Sequence, residues 1–193
     1  MAKRILIIAL ILLGTGAVLY LYWPGVRPKP EPLVTRSANA GAPFSLIDAD
    51  GKAVTESILK GHYTLLYFGF TQCPEICPTT LQKITDALNT LGIEGKTVMP
   101  MFVTVDPEHD TPEVMKAYLA NFHPRFVGLT GTPDAIKQME KAYHAFSNKS
   151  GDAVAHSDII YLLDSDGAYV AQFPNEITPT DLVSRLQREL QAQ

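Results

Sequence analysis

Apolar and polar positions divide the chain into three stretches. From Ile5 to Trp23 (ILIIALILLGTGAVLYLYW) there are 19 residues without a charge. At about 1.5 Å per residue, a helix of this length spans roughly the 30 Å hydrocarbon core of a bilayer. Lys3 and Arg4 precede the run, and Tyr20, Tyr22 and Trp23 close it. Basic residues before an apolar run favour a cytoplasmic N-terminus, and aromatic residues favour the far interface. Residues 1–23 are therefore predicted to be a transmembrane anchor. Pro24, Pro28, Pro30 and Pro32 follow. Such spacing favours extended, semi-rigid chain, so residues 24–40 read as a linker. Residues 41–193 then change to short apolar runs alternating with amphipathic stretches, enough chain for one domain with its own core.

Within this third stretch the elements alternate. Phe44–Leu46 and Ala53–Val54 around Asp48-Ala49-Asp50-Gly51 predict a small N-terminal hairpin. Tyr63 to Phe70 (YTLLYFGF) reads as a buried strand. Residues 78–91 place Leu81, Ile84, Leu88 and Leu91 at helical spacing. Val98–Val105 is a second apolar run, weakened at its start by Pro100. Thr111-Pro112 and Thr132-Pro133 open two further helices, expected to run to Phe122 and Phe146. Phe126–Leu129 lies between them as a short strand. Ile159–Leu163 and Tyr169–Phe173 flank Asp164-Ser165-Asp166-Gly167, a hairpin signal. A helix over 180–190 closes the chain. The order β-α-β-α-β-α-β-β-α implies parallel strand pairs plus one late antiparallel pair. This is the plan of an α/β, thioredoxin-like fold with an N-terminal β-hairpin and an inserted strand-helix element.

Charge refines the picture. All 20 acidic residues lie beyond the apolar run, and the net charge is −4. The chain has no basic footprint for nucleic acid. The anchor and this asymmetry point to a bacterial inner-membrane protein with its domain in the periplasm. A cleaved signal peptide is the competing reading, because Ala38-Asn39-Ala40 resembles a cleavage site. It lies far beyond the apolar run, which favours an uncleaved anchor.

The candidate chemistry follows the first buried strand, in Phe70-Thr71-Gln72-Cys73-Pro74-Glu75-Ile76-Cys77-Pro78. Both cysteines fall near a predicted helix N-terminus, where the dipole favours thiolate. Two residues intervene in thioredoxin-type redox motifs; here three do. The wider spacing suits two sulfurs on one thiophilic ion, such as Cu(I) or zinc. A structural disulfide competes with this reading, but a bridge closing three residues removes little unfolded-state entropy. Two ligands leave the coordination incomplete. Of five histidines, His62, His123 and His144 read as surface residues. His109 lies in a polar loop (DPEHDTP) and His156 in the loop before the late hairpin. In thioredoxin-like folds that second loop faces the cysteine motif, yet a loop histidine is more often solvated than a ligand. Asp106 ends the second strand and is a candidate to orient the site from outside the ligand set, or simply to cap the turn beside Pro107. Glu75 reads as a solvated charge.

With these motifs in view, the sequence resembles the Sco/SenC family of thioredoxin-like copper-binding proteins. The likeness runs over roughly residues 41–190 and rests on YFGFTQCPEICPTTL, FVTVDPEHDTPEVMKAYLANF, FVGLTG and HSDIIYLLDSDG. It implies copper, as Cu(I) and Cu(II), held by Cys73, Cys77 and His156. It also implies a metallochaperone rather than a turnover enzyme, with cytochrome c oxidase subunit II as partner. There such a protein helps metallate the dinuclear copper centre by delivering copper, reducing target cysteines, or both, and another copper chaperone is a further partner. One departure is His109, where the family often carries Arg. It reads as a substitute surface contact in preference to an auxiliary ligand. A dedicated periplasmic thiol–disulfide oxidoreductase is the main alternative. A peroxidase lacks its usual arginine motif here, and a zinc module lacks a fourth ligand.

Overall fold

The computed structural model describes residues 43–150 and 153–191. The predicted anchor and the whole of the predicted linker lie outside the described residues. Among the described residues no helix is long and apolar enough to cross a membrane.

Among the described residues, nine strands and four α-helices follow in order: β1 (Ser45–Asp48), β2 (Ala53–Thr55), β3 (Tyr63–Gly69), α1 (Ile76–Leu91), β4 (Val98–Thr104), α2 (Pro112–Leu119), β5 (Val127–Thr130), α3 (Pro133–Ala142), β6 (Ser147–Ser150), β7 (Ala153–His156), β8 (Ile159–Leu163), β9 (Tyr169–Pro174) and α4 (Pro179–Gln191). Seven strands form one mixed sheet in the order β2-β1-β5-β4-β3-β8-β9. The β3–β4 and β4–β5 pairs are parallel; β3–β8, β8–β9 and β1–β5 are antiparallel. This is the expected α/β, thioredoxin-like arrangement. The N-terminal hairpin extends the sheet beyond β5. Helix α1 packs against α4, α2 against β5, and α3 against β1.

Every residue of β3 is buried. That is what its unbroken apolar run demands of a central strand covered on both faces. Pro100 sits in β4 opposite Leu65, and pairing with β5 begins only at Met101. The proline therefore has a strand neighbour on one side only. Thr111 and Thr132 cap α2 and α3, each accepting a backbone N–H three residues on, with proline at the next position.

Two expectations fail. Helices α2 and α3 end at Leu119 and Ala142, short of Phe122 and Phe146. In α3, Ile136 and Met139 are buried as the periodicity requires, and Tyr143 follows as the cap. His144 then takes φ 53°, a left-handed conformation that stops the helix. Phe146 falls beyond the break and is 59% exposed. The following polar residues form β6, which pairs with β7 in a separate two-stranded sheet, Ser147 opposite His156 and Lys149 opposite Val154. His156 is thus the last residue of a strand and not part of a loop.

Topology explains where the site forms. Gly69 pairs with Thr104, so β3 and β4 end at the same sheet edge. Strand β8 runs opposite to β3, which brings its beginning to that edge. The cysteine loop, the 106–110 loop and the segment from His156 to Asp158 converge there.

Candidate metal centre

The cysteine loop is set by the core beneath it. Cys73 is 9% exposed and Cys77 is fully buried. Both are free thiols. Helix α1 begins at Ile76 without a capping side-chain bond from Glu75. The Cys73 sulfur fills that role instead: the Cys77 backbone N–H donates to Cys73 Sγ at 3.3 Å. Glu75 itself is exposed, as a solvated charge should be. Behind the cysteines lies Gly69. A Cβ there would stand 2.8 Å from both Cys77 Sγ and the Phe102 ring. The chain needs a residue with no side chain at the point where the sulfur meets the sheet.

The loop is also tied to its neighbour. Asp110, fully buried, accepts from Thr71 N (3.0 Å), Thr71 Oγ1 (2.5 Å) and Thr104 Oγ1 (2.6 Å). Three donors compensate the buried carboxylate and fix the cysteine loop to the end of β4.

His156 comes from the opposite side. Its Nε2 lies 3.4 Å from Cys77 Sγ. Its Nδ1 lies 3.0 Å from the Ser157 carbonyl oxygen. A carbonyl only accepts, so Nδ1 carries the proton and Nε2 presents its lone pair to the sulfurs. Two aromatic rings hold the imidazole edge-on: Phe70 at 5.7 Å and Tyr67 at 6.0 Å between centroids. The Tyr67 hydroxyl donates to Asp158 Oδ1 at 2.9 Å and reaches 4.0 Å from Cys77 Sγ. Cys73 Sγ, Cys77 Sγ and a His156 ring nitrogen all lie within 4.8 Å of one another. They are the only such trio of potential ligands among the described residues.

Electrostatics correct one expectation. The helix N-terminus was to favour thiolate at both cysteines. At Cys77, burial raises the pKa instead, outweighing the hydrogen bond from the Phe70 backbone. Burial also holds the Tyr67 hydroxyl protonated, helped by its neighbours Cys77 and Asp158. In the metal-free protein Cys77 thus keeps its proton, and a bound cation would have to displace it.

Asp106 neither touches the three residues nor caps a helix with its side chain. Its backbone carbonyl opens the turn, accepting from His109 N and Asp110 N. Its buried carboxylate accepts from Lys149 Nζ at 2.8 Å and His109 Nδ1 at 2.7 Å. Burial alone would raise its pKa, but these two partners bring it below the usual carboxylate range. His109 is exposed and stands apart from the trio. It does pair with a carboxylate, through a ring N–H that needs no positive charge. His144 is exposed as expected. His62 and His123 are half-buried rather than surface residues. Burial and the nearby Arg125 push the His123 imidazole pKa down.

Sequence reasoning missed Tyr67, Phe70, Asp158, Asp110 and Lys149. Tyr67 and Phe70 were legible only as members of an apolar strand. The Ser-Gly-Asp turn signal at 150–152 was the one hint of the hairpin that carries His156.

Comparison with known proteins gives consistent results. The SCO1/SenC family profile matches residues 34–191. The SCO2-like protein of Rickettsia prowazekii is 38% identical over 197 residues, covering 96% of each chain. The structure of Bradyrhizobium japonicum ScoI with copper bound is 42% identical, with a TM-score of 0.70 over 77% of this chain and 98% of that one. BsSco, described as carrying a disulfide switch and as a member of the Sco family of cytochrome c oxidase assembly proteins, is 31% identical. Its TM-score is 0.69, covering 84% of this chain and 98% of its own.

Proposed function

The chain belongs to the SCO1/SenC family, and from that premise we propose that it carries one copper ion on Cys73, Cys77 and His156 and serves cytochrome c oxidase assembly. The observation that carries this reading is the trio itself: two sulfurs and an imidazole nitrogen within 4.8 Å of one another. Thiolates favour Cu(I), and an imidazole nitrogen makes the same site tolerable for Cu(II). The copper is cargo, destined for the dinuclear copper centre of subunit II. The protein's own part is to hold the sulfurs together, keep the Nε2 lone pair pointed at them and exclude water. Residues 1–23 anchor the chain in the bacterial inner membrane, residues 24–40 form a stalk, and residues 41–193 form the periplasmic copper domain. Another copper chaperone loads the site.

The test is anaerobic Cu(I) competition titration of the reduced, detergent-solubilised chain, beside His156→Ala. One copper per chain is expected, with affinity in the variant lowered by more than the about 10–100-fold that loss of a group outside the ligand set costs. The Cu(II) form should show sulfur-to-metal charge-transfer absorption that changes in the variant. Absence of tight binding by the wild type would sink the chaperone reading.

A second reading has one observation in its favour: the two thiols are adjacent, with the Cys73 sulfur already accepting a bond from Cys77. As a dedicated reductant, the pair closes to a disulfide and passes two electrons and two protons to a target disulfide, which opens to two thiols. Reduction of an oxidised subunit II fragment by copper-free His156→Ala would favour it.

A further inference from the structure

The hairpin that delivers His156 is not part of the main sheet. Strands β6 and β7 pair only with each other. A lone two-stranded hairpin is marginal in water, so its position must come from what it touches. Its residues sort cleanly by face. Side chains directly opposite in an antiparallel pair share a face, as do residues two apart. Ser147, Lys149, Val154 and His156 therefore lie on one face. Asn148 and Ala155, on the other face, are exposed.

Each member of the first face meets the body of the domain. Val154 packs against the core. Ser147 receives Lys137 Nζ from α3, at its carbonyl oxygen (3.0 Å) and its hydroxyl (2.6 Å). His156 reaches Cys77. Lys149 Nζ crosses to the loop after β4 and donates to Asp106 Oδ1 at 2.8 Å and Glu108 Oε2 at 3.0 Å. The Asp106 side chain is only 6% exposed, and that of Lys149 is 36% exposed. A charge pair with one mostly buried partner is screened less than a pair in open solvent. Asp106 is fixed in turn by His109 and by its own N–H bond to Thr104 Oγ1 at the end of β4.

We infer that Lys149 and Asp106 are positioning residues for His156: their ion pair ties the hairpin to the sheet edge that carries the cysteines and so sets the imidazole over the two sulfurs. Neither residue touches the three ligand atoms. Asp106 acts through Lys149, and Lys149 acts through the strand register that places it two residues from the Ser147–His156 pair. The inference rests on the copper reading for its consequence, but not for its geometry.

The test uses Lys149→Met, which keeps the apolar stem and removes the charge, and Asp106→Asn, which keeps the shape and removes the opposite charge. Both are made in the full chain, reduced and detergent-solubilised. The first readout needs no copper: backbone hydrogen exchange across residues 154–156, with β3 as the internal reference. Exchange at 154–156 is expected to quicken about tenfold in both variants while β3 is unchanged, because loss of the tether opens the hairpin locally. Lys149→Arg should restore the wild-type rate. The second readout is copper itself. Cu(I) affinity is expected to fall about tenfold, at the low end for a group acting from outside the ligand set. In the Cu(II) form, imidazole nitrogen coupling in electron paramagnetic resonance should weaken. Wild-type exchange and wild-type affinity in a folded Lys149→Met protein would overturn the inference. So would equal quickening in β3, which marks a loss of overall stability. If neither variant folds, Lys149→Gln, which keeps a polar side chain and carries no charge, decides by the same readout: unchanged exchange at 154–156 overturns the proposal. Failure of the wild type to bind copper would instead strike the function proposed above and leave the exchange result standing.

Discussion

The two sides of the metal centre are built by different physics. Cys73 and Cys77 belong to the core. They sit where a fully buried central strand turns into a helix, with one sulfur backed by Gly69 and the other capping the helix. His156 belongs to a peripheral hairpin held by two lysine tethers, two aromatic contacts and a packed valine. Moving a sulfur means repacking the interior, whereas moving the imidazole means breaking a few polar contacts near the surface. A close-packed interior resists displacement far more than a tethered surface element does. The sulfur pair is thus the fixed part of the site and the imidazole the adjustable one. On the delivery function proposed above, the weakly held arm is the first ligand to let go.

The contrast breaks most sharply at Gly69. Gly69→Ala puts a methyl group 2.8 Å from Cys77 Sγ and from the Phe102 ring, and 3.2 Å from the Tyr67 ring. All three neighbours are fully buried. Overpacking of this kind costs about 1–3 kcal/mol. A drop of that size in urea-denaturation stability is expected, with copper affinity lowered because the sulfur must shift. A neutral result would show the sulfur side to be as adjustable as the imidazole side.

How far each side could be read from the sequence follows the same division. The core side was legible. The apolar run of β3, the two Thr-Pro helix starts and the Asp-Gly turn before β9, where Gly167 takes φ 78°, are local signals that the structure honours. Cys73, Cys77 and His156 were named as a set through resemblance, and the structure brings them together. The peripheral side was not legible. Ser147–Ser150 is polar throughout and carries no strand alternation. The helical period of α3 continues in sequence through Phe146, while the chain breaks at His144. Lys149 is one surface lysine among many until β6 is paired with β7. Tethers of this kind are long-range, separated by 41 to 43 residues, and no local pattern encodes them. The thiolate expectation for Cys77 failed for a related reason: a helix terminus can be read from spacing, but burial cannot.

A smaller effect sharpens the picture through pH. Burial raises the pKa of Cys77 from its ordinary 9.0 and of Tyr67 from its ordinary 10.0. In the unfolded chain both groups ionise near those values; in the metal-free folded protein they keep their protons. The folded state therefore binds more protons above about pH 9, and stability falls as pH rises. Below that the two contribute no slope. Each group contributes up to about 1.4 kcal/mol per pH unit once its unfolded form is ionised. Urea midpoints measured between pH 7 and 10.5 should decline over the top of that range, and less steeply in Cys77→Ser. Equal declines in both proteins would contradict a neutral, buried Cys77. Copper binding has the same linkage with the opposite outcome: the ion replaces the proton, so affinity should rise with pH.

The smallest effect is a control that isolates what makes a tether. Lys116 Nζ and Asp50 lie 2.8 Å apart, the same distance as Lys149 and Asp106. Both pairs join residues distant in sequence, and the Asp50 carboxyl is held below its ordinary range by Lys116, as Asp106 is by Lys149 and His109. They differ in burial. The Asp50 side chain is 55% exposed against 6% for Asp106. An exposed pair gives back in desolvation, side-chain entropy and screening most of what it gains in attraction. It also lies between β1–β2 and α2, elements already fixed by the main sheet. Lys116→Met should therefore leave exchange at 154–156, copper affinity and denaturation midpoint unchanged, where Lys149→Met moves the first two. If both substitutions act alike, pair length alone sets the effect, and the division between a core-built and a tether-built half of the site loses its basis.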